Sequence, residues 1–144
     1  MRNDSRLSRM LHVLIHMAQT DEPVTSDVIA TMLGTHAVVV RRVMAGARDC
    51  GFVAAARGHG GGWKLGCSLE RITLLDVYQA VGEPAVFALG ATADHPDCLV
   101  EQAVNASVGQ ALQAAQALLL KRFGQVTVAD IARQATARHG AGRP

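Results

Sequence analysis

Apolar residues in the first half of the chain recur at helical spacing in three successive blocks. Leu7, Met10, Leu11, Leu14, Ile15 and Ala18 share one face of a helix that Asp4 or Ser5 can cap and that runs to about Gln19. Thr20 to Pro23 is polar and breaks the pattern. A shorter block follows, capped by Thr25 or Ser26, with Val28, Ile29, Met32 and Leu33 apolar and Gly34 as its stop. Thr35 then caps a third helix through about Cys50. In it Val39, Val43 and Ala47 share the buried face, while Arg41 and Arg48, with Arg42 flanking, take more polar ones. Past Gly51 the period changes. Phe52 to Ala56 reads as a strand, Gly58-His59-Gly60-Gly61-Gly62 as a flexible turn, and Trp63-Lys64-Leu65 as the return strand.

The second half is helical again. Thr73 caps a helix through Val77, Tyr78 and Val81 that Gly82 and Pro84 close. Ala85 to Pro96 shows no period. A long helix is predicted from about Asp97 to Phe123, with Gly124 as its stop; at its length it spans roughly 40 Å. Val100, Val104, Ala111 and Leu118, with Val108 and Ala115 offset, line one apolar stripe, and Ala103, Ala106, Ala114 and Ala117 leave room for close approach. So long a helix has few partners in its own chain, which predicts a homodimer built on it. Thr127 caps a last helix to about Arg138, and Gly140 to Pro144 reads as a frayed tail. The expected fold class is mainly α with a small β wing: a winged helix-turn-helix domain over 1–84, a linker or sensor loop over 85–97, a dimerisation helix over 98–123 and a C-terminal helix and tail over 124–144.

Composition sharpens this picture. Of 144 residues, 49% are hydrophobic but only 3% aromatic, which suits Ala-, Val- and Leu-packed helices better than a β-sandwich. A net charge of +2 permits nucleic-acid binding without demonstrating it. No apolar run reaches membrane-span length and the N-terminus lacks the apolar core of a signal peptide, so a cytoplasmic protein is expected. Cys50, Cys67 and Cys98 match no zinc ribbon or disulfide scaffold. His12 and His16 stand four residues apart on one helix, a spacing that metal sites use. No third ligand is evident, and the pair reads as the border of a helix interface. His59-Gly60-Gly61-Gly62 lacks the nucleophile elbow an esterase would need, and no Gly-Lys-Ser/Thr follows it to make a phosphate loop. No acid, base and nucleophile converge, so no enzyme is expected.

Helix, short helix, tight turn, helix and hairpin is the order of a winged helix-turn-helix. Val28, Ile29, Met32, Val39, Val43 and Phe52 can close its core, and the third helix then fits a DNA major groove. Thr35, His36, Val38, Val39, Arg41 and Arg42 lie near its groove-facing end. Arginine can pair with the two acceptors of guanine, and valine can touch a thymine methyl. Amides near Ser26 can donate to a phosphate, and Arg57, His59 and Lys64 place polar groups on the wing.

Cys50-Gly51-Phe52-Val53, followed by Arg57-Gly58-His59-Gly60-Gly61-Gly62-Trp63-Lys64-Leu65, resembles the Rrf-two family of winged-helix regulators, which includes IscR, NsrR and CymR. Ile72-Thr73-Leu74-Leu75-Asp76-Val77 and Val126-Thr127-Val128-Ala129-Asp130 match it too. The resemblance implies a dimer with crossed long helices on double-stranded DNA carrying a pseudo-palindromic operator. It implies contacts from Ser26, Thr35, His36, Val38, Val39, Arg41 and Arg42, and from a wing tip of Arg57, Gly58, His59, Gly60 and Gly61. Arg41 falls where cluster-binding members carry Glu, which asks for a different base edge.

Many members hold an iron–sulfur cluster through three cysteines around the start of the long helix. Here only Cys98 matches; Val86 to Asp94 contains no cysteine, and Glu101 stands where the family often places a histidine. No cluster or other cofactor is expected. Cys98, with His95 nearby, is the candidate redox residue at a helix N-terminus. The leading reading is a homodimeric, sequence-specific regulator, most simply a repressor. The rival is a redox or small-molecule sensor that works through protein partners without binding DNA.

Overall fold

The structure, a computed structural model, describes residues 3–58 and 60–141. Three helices come first: α1 (Arg6–Met17), α2 (Ser26–Leu33) and α3 (Ala37–Asp49). An antiparallel hairpin follows, β1 (Val53–Ala56) paired with β2 (Gly62–Leu65) in the register Val53 to Leu65 and Ala55 to Trp63. A single 3-10 turn at Leu69–Arg71 leads into α4 (Leu74–Ala80), the long α5 (Leu99–Gln125) and α6 (Val128–Ala141). The mainly α architecture with a small β wing is the one expected.

One apolar core joins these pieces. Met10, Val13, Leu14 and Met17 of α1 meet Ile29 and Ala30 of α2 and Val40, Met44 and Ala47 of α3. Phe52 before β1, Leu69 and Ile72 around the 3-10 turn, Val77 of α4 and Val128 of α6 close it. The buried face of α3 keeps Ala47 as expected but takes Val40 and Met44 in place of Val39 and Val43. Val40 and Met44 are buried, Val43 is half-buried and Val39 is exposed. Val38-Val39-Val40 offers equal side chains to three phases of the helix, so apolarity alone cannot set its rotation. Met44, long and adaptable, fills the core and sets it. Val28, also expected in the core, is exposed on the outer side of α2.

The caps differ in detail from the expected ones. Thr25 caps α2, its Oγ1 accepting from the Val28 amide at 3.3 Å. Gly34 ends α2 in the left-handed region at φ 61°, where glycine is least strained. The Thr35 amide donates back to the Ala30 carbonyl at 2.9 Å, so Thr35 belongs to the closure of α2 and His36 is the N-cap of α3. Ser5 precedes α1 without a side-chain cap; the Asp4 carboxylate instead accepts the Arg6 amide at 3.0 Å and pairs with its guanidinium.

Two matching capping boxes start α4 and α6. Thr73 and Asp76 exchange amide-to-side-chain hydrogen bonds at 2.8 and 3.0 Å, and Thr127 and Asp130 do so at 2.9 and 3.1 Å. The two starts lie side by side: the Leu74 amide donates to the Val126 carbonyl at 2.9 Å and the Val128 amide to the Ile72 carbonyl at 2.8 Å. This pairing, rather than Gly124, ends α5, which runs through the glycine to Gln125 before Val126 turns extended. The last helix likewise passes Arg138 to Ala141, and residues 142–144 lie outside the described residues.

α5 is unlike every other helix here, for none of its residues is buried. It packs mainly on α4, where the Tyr78 and Phe123 rings meet edge-on with centroids 6.1 Å apart. Leu99, Val100 and Leu118 are 78%, 71% and 71% exposed. No single helix among the described residues is long and apolar enough to cross a membrane.

Candidate nucleic-acid interface

α2 and α3 are bent by 107° about the turn at Gly34–His36, within the range of a helix-turn-helix pair. Burial of Val40, Met44 and Ala47 turns the opposite face of α3 to solvent. His36, Val38, Val39, Arg41 and Arg42 are exposed there, and Thr35 is half-buried in the turn. Among the described residues Arg41 and Arg42 enter no ion pair, whereas Arg48 at the far end of α3 stands 3.5 Å from Asp49. The start of α3 thus presents two uncommitted guanidinium groups beside two exposed valines. That set can bind phosphates, guanine edges and thymine methyls.

The hairpin is fastened to this motif by the one tryptophan of the chain. Val24 pairs with it on both sides: the Val24 amide donates to the Trp63 carbonyl at 2.9 Å, and the Trp63 amide donates back at 2.8 Å. The Trp63 indole N–H donates to Ser26 Oγ at 3.0 Å. Because Thr25 caps α2, the Ser26 hydroxyl is left for this contact, and its own proton can still be donated. Sequence reasoning placed Ser26 at the helix start but missed its bond to the wing. The signal was the lone tryptophan after a glycine run.

Those glycines have separate tasks. A Cβ on Gly62 would stand 2.7 Å from the Val24 carbonyl oxygen, so only glycine lets the strands close there. A Cβ on Gly61 would stand 2.7 Å from the Ala56 oxygen. Gly58 and Gly60 take positive φ at the tip. Arg57, Gly58 and Gly60 are exposed, Gly61 is half-buried, and His59 lies outside the described residues. Lys64 is exposed on the face of the hairpin opposite Trp63.

Cys98 lies away from this motif. It is the N-cap of α5, exposed, with no side-chain cap bond. Its amide donates to the His95 carbonyl at 2.9 Å, and the His95 amide donates to Glu101 Oε2 at 3.0 Å. Glu101 thus ties the loop to the first turn of α5. Cys50 ends α3 and Cys67 follows β2, on other elements.

A sequence model of Rrf2, described as an iron-dependent transcriptional regulator, matches residues 3–134. The chain belongs to the Rrf2 family. YwnA of Bacillus subtilis (strain 168), provisionally named as an HTH-type transcriptional regulator, is 26% identical over 133 residues, spanning 89% of this chain and 95% of its own length. Among solved structures, a provisionally named transcriptional regulator from Lactobacillus plantarum is 21% identical with a TM-score of 0.74, covering 94% of this chain and 91% of its own. CymR, the global cysteine regulator of B. subtilis, is 19% identical with a TM-score of 0.64, covering 92% and 97%. These structural likenesses establish the winged-helix fold of an Rrf2 regulator, and family membership sets the chain among transcriptional regulators rather than enzymes.

The family description names iron, and an iron–sulfur centre needs several thiolate ligands in one place. The loop before α5 supplies Cys98 as its one thiol. Among the described residues no group of three or more His, Cys, Asp or Glu side chains comes together to hold a metal ion. Glu101, at the position where the resemblance places a histidine, is engaged by the His95 amide.

Proposed function

We propose that this Rrf2 chain is a homodimeric, sequence-specific DNA-binding repressor that works in the cytoplasm without a cluster. The observation that carries the reading is the 107° helix pair whose second helix exposes Val38, Val39, Arg41 and Arg42. In this reading α3 enters the major groove, the amides around Ser26 meet a phosphate, and Arg57 with the glycine tip from Gly58 to Gly61 follows the flanking backbone. Thr35 and His36 flank the groove-facing turn. The uncovered α5 supplies the dimer contact, and a two-fold dimer reads a pseudo-palindrome. Repression follows from occupancy alone, since a dimer seated on a promoter excludes other proteins by volume. Cys98, exposed where α5 begins, is the thiol through which oxidation would reach that contact.

Selection from a random duplex pool, run with reduced and with peroxide-treated protein, tests this. The reduced protein is expected to enrich two half-sites about one helical turn, or a multiple of it, apart. Its affinity should fall steeply with salt as phosphate contacts release counterions. A pool with no enriched motif would favour a sensor that works through protein partners. Oxidised protein should lose the motif, and the Cys98→Ser variant should keep it. Iron found in stoichiometric amount after anaerobic purification would overturn the cluster-free reading.

A further inference from the structure

His12 and His16 lie one helical turn apart on α1, with their Nε2 atoms 2.9 Å apart and ring centroids at 4.7 Å. Spacing alone made the pair a border between helices. In the structure His12 is exposed and His16 half-buried, and their Nε2 atoms face each other. At that distance one Nε2–H donates and the other Nε2 accepts. Transfer of the shared proton to Nδ1 of the same ring, through solvent, would leave each Nε2 with a lone pair for a metal ion.

The separation selects the kind of ion. With metal–nitrogen bonds of about 2.0–2.1 Å, two nitrogens at right angles stand about 2.9 Å apart, and two at the tetrahedral angle about 3.3 Å. The 2.9 Å separation is that of the hydrogen bond itself, and it also lies within reach of adjacent ligands in a square-planar or octahedral field. Imidazole nitrogens in that field suit nickel(II) and copper(II), which also outrank the earlier divalent metals in affinity. We propose that His12 and His16 form a two-histidine chelate for a tetragonal divalent ion, nickel(II) or copper(II), with water in the remaining positions. This site is independent of DNA recognition and of Cys98.

The chelate would bridge successive turns of α1, whose opposite face carries Met10, Val13, Leu14 and Met17 into the core. An ion bound only by the folded helix stabilises the whole domain. The test is calorimetric titration of the full-length protein with nickel(II), its thiols kept reduced by a phosphine, together with thermal unfolding. One equivalent should bind per chain and raise the unfolding temperature. His12→Gln and His16→Gln should each weaken binding at least tenfold and abolish the thermal shift. His12 is exposed, so its variant folds and keeps the comparison interpretable. Absence of binding to the unmodified protein would overturn the proposal. So would binding that survives either substitution, which would assign the ion to thiols or the N-terminal amine, or tighter binding of zinc than of nickel, which would overturn the tetragonal assignment.

Discussion

The winged half and the long helix spend similar residues to opposite ends. In the winged half, Leu14, Ile29, Met44 and Ile72 are wholly buried, and the core closes within one chain. In α5 the valines and leucines stay on the surface: Leu99, Val100, Val104 and Leu118 are all more than half exposed. Burying a Val or Leu side chain is worth about 1.5–3 kcal/mol. Stranding several on one 27-residue helix is therefore costly unless something covers them. Leu99, Val100, Ala103, Val104, Ser107 and Val108 line one shallow, mostly apolar patch. In the homodimer proposed above a second copy would cover it, because two-fold pairing lets one surface cover itself. One region closes its apolar surface within the chain; the other leaves it open.

The strongest way to break this contrast is Val104→Asp in α5. It should convert a dimer to a monomer by sedimentation while leaving the winged half folded by circular dichroism. Loss of the paired half-site contact should weaken binding to the selected operator by about 10²-fold or more. A Val104→Asp protein that remains dimeric would remove α5 as the interface. The converse substitution, Leu14→Ala, should lower unfolding free energy by about 2–5 kcal/mol in chemical denaturation, through lost burial and the cavity left behind. If Leu14→Ala proved harmless, the self-contained core would be the weaker half of the comparison.

A smaller effect sharpens how the wing belongs to the closed half. Trp63→Phe keeps an aromatic body but removes the indole N–H that reaches Ser26. It should cost about 0.5–1.5 kcal/mol of stability, read as a shift in denaturation midpoint. It should also weaken operator binding more than it weakens folding, because the wing would lose its fixed angle to α2. Equal losses in both measurements would make the bond purely structural.

Much of the closed half was legible because its signals are local. Helical periods, Gly34, the capping threonines and the glycine wing each announce an element within a few residues. What escaped depended on contacts distant in sequence. The rotation of α3 could not be read from Val38-Val39-Val40, since three equal side chains fit three phases. Val24 gives no local hint that it will pair with Trp63. Thr73 and Thr127 were legible as separate caps, and both stand in an apolar-Thr-apolar-apolar-Asp pattern. Their adjacency in space was not legible. The exposure of Arg41 and Arg42 was legible from their charge, whereas that of Val39, expected on the buried face, was not.

The junction between the two regions offers the finest probe. α5 returns to the core through Val126 and Thr127, and Asp130 caps the helix that follows. The Thr127 amide and hydroxyl, followed by the nearby Arg133 guanidinium, hold the Asp130 carboxyl below the usual aspartate range. A carboxyl depressed in the folded state adds stability that is present above its unfolded pKa of about 3.9 and is lost as pH falls through the folded value. Asp130→Asn keeps an oxygen that can accept the Thr127 amide but removes the titration. Acid denaturation of the variant should therefore show a shallower loss of stability below about pH 4 than the unmodified protein, with little change near neutrality. Asp4, held low by Arg6 at the start of α1, is unaffected by the change and leaves part of the acid slope in place. An unchanged slope in Asp130→Asn would mean that the α6 cap does not tie the return of α5 to the stability of the core.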